Sequence, residues 1–222
     1  CEKTLLGKNV LVVAGTTKEE IDPVRIVTTN ASGKTGQEIA KETFRQGAKT
    51  AILHNEVSFF PQIKSINYSS AQELYEKTIF ELLLLITLMG GRDFFFCPAA
   101  IGDFEVKKSK TKLSSSSKAS IELFPRQKLI QIVRKKFPEL FIVAFKAESG
   151  ISRKQLEKKC KDFLKKNAVQ MVVGNAVESK GFGTDFNEVI IVSRKKTVFF
   201  KGKKELLAQK IVAQATELSK KF

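Results

Sequence analysis

The arrangement of apolar segments along the chain constrains the fold most. Apolar runs of strand length alternate with stretches that have the three-to-four-residue apolar spacing of helices. The strand-like runs are at 9–14, 49–53, 63–68, 93–97, 141–145 and 169–173, and the helical stretches are at 32–46, 70–89 and 152–166. Because parallel strands must be joined by a crossover, usually a helix, this alternation predicts βαβ units. We therefore predict an α/β fold, a Rossmann-like doubly wound sheet that is mostly parallel.

Two segments interrupt the alternation. Residues 105–118 are polar and lysine-rich with four consecutive serines, which predicts a mobile basic flap leading into a strand at 119–124. Two apolar runs at 188–192 and 197–200, joined by Ser-Arg-Lys-Lys, predict a C-terminal hairpin, followed by a helix from Lys203. For 222 residues without an internal repeat, we expect one domain, residues 1–222, with the flap at about 105–124.

The chain is strongly basic, and its charge is unevenly distributed. Against 23 Asp and Glu there are 39 Lys and Arg, a net charge of +16, and residues 107–166 hold 18 basic but only 5 acidic side chains. Such an excess attracts phosphates, nucleic acid or an anionic membrane surface. We therefore expect residues 107–166, about a quarter of the chain, to bind an anion.

Composition excludes several classes of protein. Hydrophobic residues make up 42% of the chain, which rules out a disordered or collagen-like protein. The longest strongly apolar stretch, 82–89, is shorter than the ~20 residues of a membrane span, so we expect a soluble protein with no membrane partner. Three Cys and one His offer neither a disulfide framework nor a zinc site, which fits the cytoplasm. With no signal peptide and no initiator Met, the chain is expected to be part of a longer protein.

The segment Ala31–Gly36, ASGKTG, predicts an anion site. It places two glycines and Ser32, a good N-cap, at a predicted helix start, where free N–H groups and the positive end of the helix dipole favour a phosphate. It is not a P-loop, which needs a glycine where Thr28 stands. With Glu56 it matches a dinucleotide fingerprint, but about sixteen residues separate the first strand from the motif, where that fold needs a tight turn. The alternative is that the glycines only allow close packing of the helix.

The loop before that helix carries a second candidate site. It contains Gly15 followed by two threonines, Arg25 after an Asp-Pro turn, and Thr29 and Asn30 at its end. Hydroxyl and amide donors beside an arginine suit a ligand that bears both phosphate and carboxylate. Taken alone, the Asp-Pro pair is an ordinary turn and Arg25 a surface ion pair.

Six short motifs, taken in their order along the chain, resemble those of the phosphopantothenoylcysteine synthetase family. The segments that carry the resemblance are VVAGTT at 12–17, IDPVR at 21–25, SGKTG at 32–36, AAIGDF at 99–104, FKAES at 145–149 and GFGTDFN at 181–187. They are spread over about 180 residues in the family's order. No single motif is decisive, but their joint order is.

The resemblance implies a ligase of coenzyme A biosynthesis. In that family CTP in bacterial enzymes, or ATP in animal ones, activates the carboxylate of 4′-phosphopantothenate, and the amino group of L-cysteine then attacks the acyl nucleotide. The reaction releases pyrophosphate, so its negative charge must be stabilised by Mg²⁺, lysines and helix N-termini. No nucleophilic side chain is needed. We expect the triphosphate, rather than protein ligands, to hold the Mg²⁺. The family also implies a homodimer and, in many members, fusion to a flavin-dependent decarboxylase domain.

Site residues follow from the resemblance by position. It implies catalytic roles for Arg25, Lys112 and either Thr29 or Asn30. It implies nucleotide binding by Gly15, Ser32, Gly33, Gly36, Ala99, Ala100, Asp103, Arg126, Lys128, Leu129, Phe145, Lys161 and Lys165. Within this set Asp103 would contact the base, and Lys112 would bring charge onto the triphosphate as the flap closes. Without the family, Asp103 is a helix or turn cap and most charges in the flap are simply solvated.

The chain departs from the family at several positions. In the family, the Asn that holds the acyl nucleotide stands four residues before the first glycine of the helix. In this chain that position is Thr29, and Asn30 follows it. Either the loop shifts so that Asn30 reaches the site, or Thr29 supplies a hydroxyl; our hypothesis is that Asn30 substitutes. Residues 126–129 replace an Asn-Pro-Asp-Ile segment, and the two lysines of the following helix align with Lys161 and Lys165 only across a small gap.

Two other classes of function are consistent with parts of the sequence. A nucleic-acid-binding module would explain the charge of +16, but the basic segment lacks interleaved aromatic residues, and we predict no nucleic-acid partner. An NAD(P)-dependent oxidoreductase is disfavoured by the spacing between strand and glycines. A synthetase should be stabilised by CTP or ATP with Mg²⁺, and the alternatives by nucleic acid or by a nicotinamide cofactor.

Overall fold

The protein is built on an eight-stranded mixed sheet with helices on both faces. The computed structural model describes residues 3–55, 61–89, 94–176 and 185–220. Within these residues the strands are β1 (Asn9–Val13), β2 (Lys18–Glu20), β3 (Ile26–Thr28), β4 (Lys49–His54), β5 (Lys64–Asn67), β6 (Phe94–Cys97), β7 (Phe104–Val106), β8 (Leu123–Pro125), β9 (Phe141–Glu148), β10 (Met171–Ala176), β11 (Phe186–Ser193) and β12 (Thr197–Lys203). The helices are α1 (Lys34–Arg45), α2 (Ala71–Met89), α3 (Leu129–Lys136), α4 (Arg153–Lys166) and α5 (Lys204–Ser219).

The large sheet is doubly wound. Its strand order is β12-β11-β10-β9-β6-β1-β4-β5, and the six strands from β10 to β5 are parallel. The hairpin β11–β12 completes one edge in the antiparallel sense. From β1 the chain moves to β4 and β5 on one side, and from β6 it moves to β9 and β10 on the other. This arrangement confirms the predicted Rossmann-like, mostly parallel sheet with a C-terminal hairpin.

Alternate residues of the central strands pack into two separate cores. All five residues of β1 are buried, as expected for a parallel strand covered on both faces. Val12 packs into the core that contains Ile39 of α1 and Leu207 of α5. Leu11 packs into the opposite core with Leu82 of α2, together with residues of α3 and α4. The continuous apolar run that predicted this strand therefore reflects two helical layers.

Several predicted element ends are confirmed by the structure. Ser70 caps α2, because the Glu73 N–H donates to its hydroxyl at 3.2 Å. Gly47 follows the end of α1 with a φ of 87°, and its N–H donates to the Phe44 carbonyl at 2.9 Å. The predicted helix end at 90–91 and the predicted strand start at position 93 lie outside the described residues.

The prediction that Ser32 caps α1 is wrong. Gly33 is the N-cap, with a left-handed φ of 67°, and its carbonyl accepts the first helical hydrogen bond from Gln37. Ser32 therefore lies one residue outside the helix, and no side chain of the described residues caps the helix start.

Three further differences concern short elements. The predicted long loop between β1 and α1 contains the antiparallel pair β2–β3. The predicted strand at 119–124 lies later, at β8, where it pairs with β7 to form the base of the flap. Helix α3 was not expected. These elements span three to eight residues, too few for an apolar period to stand out, and the strands depend on pairing partners elsewhere in the chain.

Candidate active site

An open cleft lies at the carboxyl ends of the parallel strands, at the switch point between β1 and β6. Its volume is about 430 Å³, and its walls are formed by the start of α1, the segment after β6, the start of α3 and the ends of β9 and β10. In doubly wound sheets the ligand crevice forms at this position, because the connections leave the two central strands in opposite directions.

The cleft brings together many, but not all, of the predicted site residues. Those that line it are Thr29, Ser32, Gly33, Gly36, Ala99, Ala100, Asp103, Lys128, Leu129 and Phe145. Those that do not belong to its described lining are Gly15, Arg25, Asn30, Lys112, Arg126, Lys161 and Lys165. Position alone does not establish a role, so the binding and catalytic roles of both groups stay predictions.

The start of α1 faces the cleft with uncapped amides. Residues 33–36 line it, and no side chain in the described ranges accepts a hydrogen bond from the first turn. The first N–H groups of a helix have no partner within the helix, and they lie at the positive end of its dipole. This wall of the cleft is therefore suited to an anion such as a phosphate.

Glycines allow the helix start to approach the strand ends closely. A Cβ at Gly36 would lie 2.5 Å from the Cβ of Ala14 and 3.1 Å from the Pro98 ring. A Cβ at Gly33 would lie 3.0 Å from the Gly15 nitrogen. The packing role that sequence reasoning kept as an alternative is thus present, and it is what positions the uncapped amides over the sheet.

Thr29 lines the cleft, whereas Asn30 does not. The Thr29 hydroxyl donates to the Ala100 carbonyl at 2.8 Å and also contacts the hydroxyl of Thr16. Asn30 is exposed, outside the described lining. Which of the two takes the place of the family's asparagine stays a prediction, although in this structure only Thr29 belongs to the described lining.

The segment after β6 forms another wall of the cleft. The Ala100 N–H donates to the Gly15 carbonyl at 2.9 Å, and the Gly102 N–H donates to the Thr17 hydroxyl at 2.9 Å. Gly15, which does not line the cleft, therefore supports this segment through its backbone. Asp103 is an exposed residue of the cleft lining and forms an ion pair with Lys128, the residue before α3.

Arg25 is engaged within the protein rather than in the cleft. Its guanidinium donates to Asp22 at 2.9 Å and to the Leu113 carbonyl at 3.1 Å. The Asp22 side chain is fully buried and also accepts the N–H groups of Val24, Arg25 and Leu113. Burial alone would raise the pKa of Asp22, but these hydrogen bonds and the charge of Arg25 hold the pKa below its ordinary value. We call this cluster, Asp22 with Arg25 and Leu113, the flap anchor.

The flap rests on the β2–β3 hairpin through further contacts. The Ser109 N–H donates to the Ile21 carbonyl at 2.8 Å, and Lys108 forms an ion pair with Glu20. The side chain of Arg126, at the base of the flap, is buried and pairs with Glu19 at 2.9 Å. Lys112 is exposed next to the anchored Leu113, outside the cleft lining.

The lysines predicted on α4 also lie away from the cleft. Lys161 pairs with Glu157 on its own helix at 2.6 Å, and Lys165 is exposed. The residue that α4 contributes to the cleft is Phe163, and the Lys146 ammonium lies over its ring, 5.8 Å from the centroid.

Sequence reasoning missed three lysines in the cleft, Lys34, Lys146 and Lys204. Lys34 lies inside the glycine motif, in which only Ser32 and the two glycines were predicted to bind the nucleotide. Lys204 precedes Leu207, Ala208 and Ile211 by three, four and seven residues, so that it occupies the buried stripe of α5. A lysine in an apolar stripe is the signal that could have found it.

The remaining predictions on chemistry concern cysteines, metals and membranes. Burial raises the pKa of the Cys97 thiol to about 12, which agrees with the interpretation of Cys97 as a core residue. In the described ranges no group of three or more His, Cys, Asp or Glu could hold a metal ion. None of the described helices combines the length and the apolar character that a bilayer crossing requires.

Comparisons with known proteins place these observations in a family. Residues 5–218 match the family described as DNA/pantothenate metabolism flavoprotein C-terminal domain. The coenzyme A biosynthesis bifunctional protein CoaBC of Thermococcus kodakarensis is 35% identical over 195 residues, covering 86% of this chain and 46% of that protein. The corresponding protein of Methanocaldococcus jannaschii is 29% identical over 216 residues, covering 96% and 52%. The chain thus spans about half the length of the curated relatives it matches.

Solved structures show the same fold. The C-terminal domain of a CoaBC protein superposes with a TM-score of 0.79 at 22% identity, covering 100% of both chains. A Cab2 mutant in complex with phosphopantothenate-cysteine superposes with a TM-score of 0.76 at 18% identity, covering 96% of this chain and 87% of that chain. At these identities the likeness concerns the fold alone.

Proposed function

Because the chain belongs to the DNA/pantothenate metabolism flavoprotein C-terminal domain family, we propose that it is a phosphopantothenate–cysteine ligase of coenzyme A biosynthesis. It uses a nucleoside triphosphate to activate the carboxylate of 4′-phosphopantothenate, releases pyrophosphate and joins the acyl group to the amino group of L-cysteine. The names of its relatives, coenzyme A biosynthesis bifunctional proteins, support this assignment.

The observation that carries the proposal is the cleft at the switch point. Its walls combine the uncapped amides of α1 with lysines and with apolar residues such as Leu129 and Phe145. Amides and lysines suit phosphates, and apolar side chains suit a base and an aliphatic acyl chain. No nucleophilic side chain is required, which agrees with a buried Cys97 thiol whose pKa is raised.

The roles follow from the positions of the residues. The amides of residues 33–36 hold the phosphates in the cleft that the Thr29 side chain also lines. Asp103 and the Ala99–Ala100 backbone contact the base, beside Leu129. Lys112 reaches the triphosphate only if the flap moves toward the cleft, since it lies outside the lining in this structure. The acid and the α-phosphorus are thereby held together in a pocket that provides positive charge for the leaving pyrophosphate.

The cofactor assignment rests on the donors present. Cleft amides and ammonium groups are donors to oxygen, and the carboxylate of the lining, Asp103, is already paired with Lys128. This set fits phosphate oxygens better than a bare divalent cation, so that Mg²⁺ would arrive bound to CTP or ATP and neutralise charge on the phosphates.

The assembly is also part of the proposal. A flavin-dependent decarboxylase domain elsewhere in the same protein is expected, because the matched relatives are named bifunctional and are about twice as long. The homodimer is expected from the family resemblance alone. We place the reaction in the cytoplasm.

The test is a turnover assay with separate triphosphates. The chain is incubated with 4′-phosphopantothenate, L-cysteine and either CTP or ATP with Mg²⁺, and pyrophosphate and phosphopantothenoylcysteine are quantified. One of the triphosphates should support both products, and omission of cysteine should leave the acyl nucleotide. Absence of product with both triphosphates would refute the assignment.

A further inference from the structure

Lys204 is a buried cation in the wall of the cleft. It is the first residue of α5, is only 9% exposed, and lines the cleft. Its backbone N–H donates to the Asp185 carbonyl at 2.9 Å, which fixes the helix start against the residue before β11. Burying an ammonium group is costly unless an anion or several hydrogen bonds compensate it.

The lysines of the described cleft lining differ in their partners. Lys34 pairs with Asp185 at 2.7 Å, Lys146 pairs with Glu148 at 2.7 Å, and Lys128 pairs with Asp103. Lys204 is the most buried of them, and among the described residues its ammonium has neither a carboxylate within 4.0 Å nor a hydrogen-bond partner. Lys204, the most buried lysine of the described lining, is thus the one whose ammonium has no anionic partner among the described residues.

The charges around Lys204 do not compensate it. Burial lowers the pKa of its ammonium, the charge of Lys34 lowers the pKa further, and Asp185, already shared with Lys34, only partly offsets them. The uncapped start of α1, which includes Lys34, adds the positive end of a helix dipole to the same cleft. Two ammonium groups and a helix N-terminus suit a group with more than one negative charge.

We propose that Lys204 is a phosphate-binding residue of the cleft, the side chain that compensates one phosphate group of the bound ligands. The inference rests on the proposed function for the identity of those ligands. A phosphate is favoured over a carboxylate because its second charge matches the surplus of positive groups. Two sources share this chemistry, the phosphate of 4′-phosphopantothenate and the phosphates of the triphosphate.

The experiment measures direct binding to Lys204 variants. Affinities for 4′-phosphopantothenate, pantothenate, pyrophosphate and CTP with Mg²⁺ are determined by calorimetry for the wild type, Lys204→Met and Lys204→Gln. Methionine keeps the length of the side chain in a buried position and removes its charge, and glutamine provides a second, polar replacement. Lys210→Met is the control, because it removes the same charge from an exposed position on α5, outside the cleft.

We expect both Lys204 variants to bind at least one phosphate-bearing probe about tenfold or more weakly, while pantothenate binding changes by less than about twofold. Weakened 4′-phosphopantothenate assigns Lys204 to the acid's phosphate, and weakened CTP and pyrophosphate assign it to the triphosphate. Lys204→Arg should restore part of the lost affinity, and Lys210→Met should match the wild type.

Other outcomes overturn the inference. It fails if all phosphate probes bind the Lys204 variants as they bind the wild type, or if the wild type binds none of them. If phosphate binding depends on Lys204 but no phosphopantothenoylcysteine forms in the turnover assay, the proposed function fails and the phosphate-binding role stands.

Discussion

Single residues at the start of α1 decide whether an anion can approach the sheet. Gly33 takes a left-handed conformation and Gly36 packs against Ala14 and Pro98, so that both positions exclude a side chain. Because the helix then lies directly over the ends of β1 and β6, its uncapped amides face the cleft. The glycines thus serve binding through packing.

Replacement of Gly33 by alanine tests this close approach. Gly33→Ala adds left-handed strain of about 1 kcal/mol and a Cβ 3.0 Å from the Gly15 nitrogen, so we expect a loss of about 2 kcal/mol or more in the free energy of unfolding. Gly150→Ala is the matched control, since φ is 66° there and no atom lies within 4 Å of the new Cβ. Chemical denaturation measures the free energy of unfolding of both variants. Equal losses would show that the close approach of Gly33 to Gly15 does not contribute to stability.

The Thr29 hydroxyl gives a second test at this scale. Thr29→Val keeps the shape but removes the hydrogen bond to the Ala100 carbonyl, so we expect turnover to fall about tenfold, with the shortfall in the step that uses cysteine. Asn30→Ala should have a smaller effect, because Asn30 lies outside the described lining. Turnover and acyl-nucleotide accumulation are measured for both. If Asn30→Ala accumulates the acyl nucleotide and Thr29→Val does not, Asn30 is the substitute after all.

At the scale of elements, the flap is attached to the β2–β3 hairpin by a buried carboxylate. Asp22 uses one oxygen for its own turn and the other for Arg25 and Leu113, and Arg25 returns a hydrogen bond to the Leu113 carbonyl. A ribbon of two three-residue strands, β7 and β8, supports the flap at its base. The position of Lys112 therefore depends on the flap anchor.

Loss of the flap anchor should release the flap. In Asp22→Asn the amide nitrogen would face the N–H groups of Leu113 and Arg25, so that donors would oppose donors. We expect trypsin to cleave the lysines of residues 107–118 about tenfold faster than in the wild type. Asp162→Asn, on the exposed surface of α4, is the control. Unchanged cleavage of Asp22→Asn would mean that other contacts hold the flap.

The same carboxylate predicts a pH dependence. The pKa of Asp22 is lower in the folded protein than its ordinary value of 3.8, so its contribution to stability is complete above that value and is lost as the pH falls through the lower folded pKa. The difference in unfolding free energy between wild type and Asp22→Asn should be constant from about pH 7 to pH 5 and shrink below about pH 3.8. Denaturant titrations at several pH values measure it, and a difference that already shrinks near neutral pH would contradict the lowered pKa.

At the scale of the whole molecule, part of the excess of basic side chains is used in ion pairs within the protein. Several basic side chains are committed to ion pairs, including Arg126 with Glu19 and Lys159 with Glu148. The exposed pairs contribute little to stability, but they remove charges from the count available to a partner. What distinguishes the cleft is therefore the placement of its cations rather than the net charge of +16.

Ligand-induced stabilisation tests the whole assignment. A triphosphate at about a hundredfold its Kd should stabilise the protein by about 2.7 kcal/mol, because it binds the folded state alone. We expect CTP or ATP with Mg²⁺ to raise the melting temperature, and NAD⁺ or a short DNA duplex at low salt to leave it unchanged. Stabilisation by the duplex that disappears steeply with salt would favour a nucleic-acid-binding function.

The sequence determined the main elements and their order along the chain, because apolar periodicity and helix-end signals act over about ten residues or fewer. The strands β1, β6 and β9, the Ser70 cap and the C-terminal hairpin could all be predicted on that basis. Tertiary structure alone decided that Thr29 meets Ala100, that Arg25 meets Leu113, and that Lys204 shares a cleft with the start of α1. These contacts join segments far apart in the chain, where no local pattern states which side chains will meet.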